Sequence, residues 1–107
     1  MKAHVKKKWL EALTSGKYRK AKDSLKHHGR FCCLGVLCNL YNPAGWDELS
    51  PPASYTPVKT YQGADTIPPE EVLDWAALPD VSVIALMTLN DENAGWEKVI
   101  GYIKNQL

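Results

Sequence analysis

At 107 residues the chain is long enough for one modest core and too short for two, so it reads as a single domain over 1–107. With 45% hydrophobic and 23% charged residues, no apolar run of spanning length and no apolar N-terminal stretch of the signal-peptide kind, a cytoplasmic globular protein without a membrane partner is expected. The net charge of +1 argues against a strong non-specific nucleic-acid binder, yet residues 1–30 hold ten Lys/Arg against Glu11 and Asp23, while three Lys face ten acids thereafter.

Residues 3–15 form the first predicted helix, with Val5, Trp9, Leu10 and Leu13 on one face and Lys6, Lys7 and Lys8 mostly outward. Gly16 follows as a natural C′ residue. A basic amphipathic helix can lie on a membrane or a nucleic-acid backbone, although its charged side is more often simply solvated. From Tyr18 to Arg30 neither parity is cleanly apolar, so an irregular segment or an edge hairpin serves as well as a strand pair. His28-Gly29 is a turn signal.

Arg30-Phe31-Cys32-Cys33-Leu34-Gly35-Val36-Leu37-Cys38-Asn39-Leu40-Tyr41 is the most apolar segment and must be buried. Leu34, Leu37, Cys38 and Tyr41 share one helical face, which predicts a buried helix from about Cys32 to Tyr41. Gly35 fits a close helix contact or a backbone that something approaches. All three cysteines lie in this segment. An odd count, with two adjacent, is no disulfide framework and points to a reducing compartment.

Residues 42–69 hold six of the seven prolines, with turn signals at Asn42-Pro43-Ala44-Gly45 and Ser50-Pro51-Pro52 and a short strand at Val58-Lys59-Thr60-Tyr61. Trp46, Tyr55 and Tyr61 either pin this long connection to the core or line a pocket. Pro68 and Pro69 open a helix over about 69–77, favoured by Glu70 and Glu71 in its first turn, with Val72, Leu73 and Trp75 on its apolar side. Val81 to Leu89 is ambiguous, since it begins β-branched and ends in helix formers. Gly95 is a turn residue, and Trp96, Val99, Ile100 and Ile103 stripe a last helix.

Phe31-Cys32-Cys33-Leu34-Gly35-Val36-Leu37-Cys38 resembles the hallmark of small uncharacterised proteins of tailed phages and prophages. Trp9-Leu10-Glu11-Ala12-Leu13 with Ser15-Gly16-Lys17-Tyr18, Pro68-Pro69-Glu70-Glu71-Val72 with Trp75, and Leu89-Asn90-Asp91 complete that pattern. The Cys-x-x-Gly and Asn-Asp elements are more weakly similar to a bacterial domain family of unknown function. Both resemblances imply a single-domain layout and neither implies an activity. The phage likeness also turns the reading of Val81–Leu89 towards a helix that Asn90-Asp91 closes, and implies a host cytoplasm as the setting.

Three constellations could carry chemistry. Cys32 and Cys33 sit where a helix dipole would favour a thiolate, with His27 or His28 as a base and Asn90 or Asp91 to orient it, a loose likeness to Cys-His-Asn hydrolases. Buried cysteine is more often a small hydrophobe. A metal site is disfavoured, because Cys-x-x-Cys is absent and Cys33 and Cys38 stand about 140° apart on a helix. An anion site is the better-supported constellation. Lys17, Tyr18, Arg19, Lys20, Lys22 and Arg30 gather before a helix N-terminus whose N–H groups would also face an anion, and Tyr18 offers a ring to a base.

The fold expected is α+β and α-rich, with a buried central helix, two or three surrounding helices and a short hairpin. The function expected is that of an accessory protein that binds without turnover and needs no cofactor. It would hold a nucleotide or other phosphorylated ligand through Tyr18, Arg19, Lys22, Arg30, Cys32 and Cys33, or inhibit a host defence protein. The alternatives are a cysteine hydrolase or transferase using Cys32 or Cys33, and a nucleic-acid-binding module using residues 1–30.

Overall fold

A computed structural model of the chain describes residues 1–47 and 58–107. In chain order come helix α1 (Ala3–Thr14), strands β1 (Lys26–His27) and β2 (Arg30–Phe31), helix α2 (Cys33–Tyr41) and a 3-10 turn (Pro43–Gly45). Strand β3 (Val58–Lys59) and helices α3 (Glu70–Ala76), α4 (Asp80–Glu92) and α5 (Glu97–Gln106) follow. The α-rich α+β expectation holds. The turn signal at Ser50-Pro51-Pro52 and the role of Tyr55 lie outside the described residues.

Helix α2 is apolar apart from Asn39, and such a helix is stable only when enclosed. Every residue from Cys33 to Cys38 is buried. Its neighbours are α1, α3 and α4, while α5 packs on α1 and α4. Val5, Trp9 and Leu13 bring one stripe of α1 into the core; Val72, Ala76, Val83, Leu86, Val99 and Ile103 bring the matching stripes of the C-terminal helices. The Trp9 indole Nε1–H donates to the Cys33 carbonyl at 2.9 Å, which fixes α1 on the first turn of α2. No single helix among the described residues is long and apolar enough to cross a membrane; α3 and α4 reach that length only together, across a 100° bend.

The ambiguous Val81–Leu89 segment is helical, within α4. That helix runs on through Asn90 and Asp91 to Glu92, so the Asn-Asp pair does not close it. Asn93 stands at the C-cap, and its amide donates to the Leu89 carbonyl at 2.8 Å. Asn90 is instead turned into the core, 1% exposed. Pro69 is the N-cap of α3 and not its first helical residue. Ala77 ends that helix in the left-handed region at φ 53°.

His28 and Gly29, at φ 52° and 74°, form the left-handed pair that a two-residue hairpin turn requires. The turn sets the register at Lys26 with Phe31 and His27 with Arg30. Strand β1 also pairs antiparallel with β3, in the order β2-β1-β3, and β2 meets residue Lys20 in a parallel bridge. The aromatic expectation is met for two of its three residues. Tyr61 is fully buried, donates its hydroxyl to the Asn42 carbonyl at 2.8 Å and stands 5.0 Å from the Trp46 ring.

The hairpin docks on α2 through its backbone. Cys32 N–H donates to the Leu25 carbonyl at 3.1 Å, and a side chain at Gly35 would fall on that same oxygen. Relief would need backbone to move, so Gly35→Ala is expected to lower stability by about 3 kcal/mol or more. Gly101, inside α5 with open space around it, is the internal control. Gly101→Ala should raise stability by roughly 0.5–1 kcal/mol, because alanine is the better helix former. Urea unfolding of the two variants measures both, and a Gly35→Ala protein as stable as the wild type would contradict the packing described.

Candidate functional site

The segment 18–31 supplies most of the predicted anion site, and the hairpin register sorts its side chains onto two faces. Paired residues across strands share a face. Lys26 and Phe31 are one such pair, and the Lys26 ammonium lies 4.8 Å from the Phe31 ring and 5.2 Å from the Trp46 ring. Phe31 continues into an edge-to-face series with Tyr18 at 5.0 Å and Trp46 at 5.7 Å. Asn39 ties the series to α2, donating to the Tyr18 hydroxyl at 2.8 Å and accepting from the Trp46 indole at 3.0 Å.

The other pair, His27 and Arg30, belongs to a groove of about 600 Å³ lined by Lys20, Lys22, His27, His28, Arg30, Ala21 and Asp23. Lys20, Lys22 and Arg30 form no ion pair among the described residues. Lys20 is half-buried, and burial, followed by the nearby Lys22 charge, holds its ammonium below the usual lysine range; Asp91 acts weakly the other way. The two histidine rings stand 4.4 Å apart at 32°, and His28 is exposed.

Of the six residues proposed from sequence, the structure thus brings Lys22 and Arg30 together. Tyr18 belongs to the aromatic face. Arg19 is exposed and gives its carbonyl to Phe31 N–H at 2.8 Å, and its side chain does not line the groove. Cys32 and Cys33 lie inside, at 6% and 0% exposure. Sequence reasoning treated His27 and His28 as a base or a turn, although the turn signal itself fixes the register that puts His27 beside Arg30.

The helix N-terminus expected to face an anion is occupied by the protein. Cys33 N–H donates to the Asn90 carboxamide oxygen at 3.0 Å, and Gly35 N–H donates to the Cys32 sulfur at 3.3 Å. The Asn90 amide in turn donates to the Ala21 carbonyl at 2.9 Å and to the Asp91 carboxylate at 3.0 Å. That carboxylate also accepts from Asp23 N–H at 3.2 Å, with Asp23 held at φ 63°. One buried carboxamide therefore joins α4, α2 and the extended segment at Ala21 that leads to the groove. Asn90→Ala would orphan Cys33 N–H and the Ala21 carbonyl, and should cost about 2–4 kcal/mol in urea unfolding. A loss under about 0.5 kcal/mol would mean that the clamp contributes little.

The same burial governs the thiols. It pushes Cys32 up to about 11 against the Gly35 and Leu34 N–H groups, and raises Cys33 and Cys38 well above the usual thiol range as well. The cavity beside Cys32, Cys33, Asn90 and Asp91 is about 20 Å³, room for about one water. Among the described residues no group of three or more His, Cys, Asp or Glu is placed to hold a metal ion. The folded protein should therefore react slowly with a thiol reagent near neutral pH at all three cysteines. Because the folded thiol titrates above its ordinary value of 9.0, its neutral form stabilises the fold below pH 9. That contribution is lost as the pH rises towards 11. The urea midpoint should fall across that window, and rapid labelling of one cysteine at neutral pH would contradict the enclosure.

The family model described as a domain of unknown function, DUF8296, matches residues 1–107. No curated protein and no solved structure matches the chain. With the whole of 1–107 covered, the chain belongs to the DUF8296 family.

Proposed function

We propose that the protein is a phage-type accessory protein of the host cytoplasm that works by stoichiometric binding, and that it binds a phosphorylated ligand on the hairpin groove. The carrying observation is the convergence of Lys20, Lys22 and Arg30 on one groove with no ion pair of their own among the described residues. Lysine and arginine that form no ion pair retain their capacity for phosphate, and the guanidinium adds planar, two-point recognition. Burial and the Lys22 charge both disfavour the charged form of Lys20, and an anion in the groove would offset them by favouring that form. Asp23 at the rim is the opposing charge and favours ligands with more than one negative charge. The phage-type assignment is supported by Phe31-Cys32-Cys33-Leu34-Gly35-Val36-Leu37-Cys38 and by the layout of the other matching elements.

Binding is favoured over cysteine chemistry because the thiols are enclosed and the cations are open. Inorganic pyrophosphate, titrated by calorimetry, is the test ligand. Arg30→Ala should weaken it at least about tenfold, the equivalent of about 1.4 kcal/mol. Lys7→Ala, exposed on α1, should change affinity by less than about twofold. No binding by the wild type, or equal losses in the two variants, would overturn the groove as the site.

A further inference from the structure

The groove has a second chemical character besides charge. His28 and His27 present two rings, 4.4 Å between centroids and tilted by 32°, at a groove that also holds the three cations. His28 occupies the first position of the tight turn, at φ 52°, where asparagine, aspartate or glycine is the more usual choice. Its side chain is exposed, and neither imidazole forms a side-chain hydrogen bond or ion pair among the described residues. Histidine shares with asparagine and aspartate an enrichment at positive φ, so the turn accommodates it, and what marks this imidazole is its exposure at the groove beside a second ring. Tyr18, the ring that the sequence offered to a base, is engaged elsewhere through Phe31 and Asn39.

We propose that the His27–His28 pair is a stacking platform for a nucleobase and that the ligand of the groove is a free nucleoside polyphosphate. This rests on the phosphorylated-ligand reading above and adds the base to it. Lys20, Lys22 and Arg30 receive the phosphates, and the base lies on the exposed face of His28, with His27 behind it. A base stacked on an aromatic side chain gains affinity without being read by its edges, so the platform selects nucleotides as a class. The groove, about 600 Å³, is within the range of small-molecule sites. Its three cations all line this one groove, which suits a short polyphosphate better than the evenly spaced phosphates of a long strand.

The experiment compares ADP, inorganic pyrophosphate and a ten-residue single-stranded deoxyadenylate by calorimetry. All three ligands are titrated at one pH and one ionic strength, so that the electrostatic conditions are the same throughout. The wild type should bind ADP at least about fivefold more tightly than pyrophosphate. His28→Asn tolerates the left-handed backbone and should abolish that preference, while pyrophosphate affinity stays within about twofold. His28→Phe should retain it. Circular dichroism of each variant checks that the hairpin is intact, and His27→Ala, outside the turn, should reduce the preference if His28 variants fail to fold. Equal affinity for ADP and pyrophosphate, or a preference that survives both His28→Asn and His27→Ala, would overturn the platform and leave the phosphate site standing. Tighter binding of the deoxyadenylate than of ADP would overturn the free-nucleotide assignment. Failure of pyrophosphate and ADP alike to bind would overturn both the platform and the groove as an anion site.

Discussion

The approach of the Leu25 carbonyl to the first turn of α2 is the constraint on which the rest of the structure depends. This oxygen accepts from Cys32 N–H and occupies the space that a side chain at position 35 would need. The contact lets residues 18–31 fold back over the most apolar helix without leaving its first donors unsatisfied. Asn90 completes the arrangement from the other side, because its oxygen takes Cys33 N–H while its amide holds the Ala21 carbonyl. A buried polar group is tolerated only when its hydrogen bonds are made, and here one carboxamide makes them for three segments. The groove therefore stands on a backbone fixed at both ends, at Ala21 by Asn90 and at Phe31 by the pairing of β2.

The hairpin divides two kinds of interaction that sequence places in one stretch. Alternation along β1 and β2 sends Lys26 and Phe31 to the aromatic side and His27 and Arg30 to the groove. The aromatic side is a packing surface, joined to α2 by Asn39 and extended through Trp46 to Tyr61. The groove side carries charge with no ion pair among the described residues for Lys20, Lys22 or Arg30, although Asp91 acts on Lys20 from a distance. Like-charged groups held near one another raise the energy of the free protein slightly, and an arriving anion lowers it again.

Much of the fold was legible because its main signals are local. The apolar run had to be enclosed, the stripes on α1 and α5 had helical spacing, and His28-Gly29 was a turn. Gly35 was readable as a close approach but not its partner, since Leu25 lies ten residues away and nothing local names it. Asn90 was misread for a related reason: an Asn-Asp pair near a helix end resembles a local stop, and its role is set by a segment far away in sequence. The anion site was legible as a composition and not as a geometry. Counting cations found Lys22 and Arg30, whereas only the register separates Tyr18 from the groove and adds His27.

The cysteines show why a helix N-terminus is insufficient as a functional signal. Free N–H groups and the dipole lower a thiol's pKa, and Cys32 does receive such donors, yet its value goes up to about 11 because desolvation is the larger effect. The same enclosure removes the dipole as a source of anion affinity, since Asn90 and the Cys32 sulfur take the donors an anion would have used. Whatever attraction the protein has for phosphate must then come from side chains in an open groove, where water and salt screen each charge. A single phosphate gains little under those conditions. Affinity of consequence requires several charges to act on one ligand at once, so three cations lining one groove favour polyphosphates over phosphomonoesters.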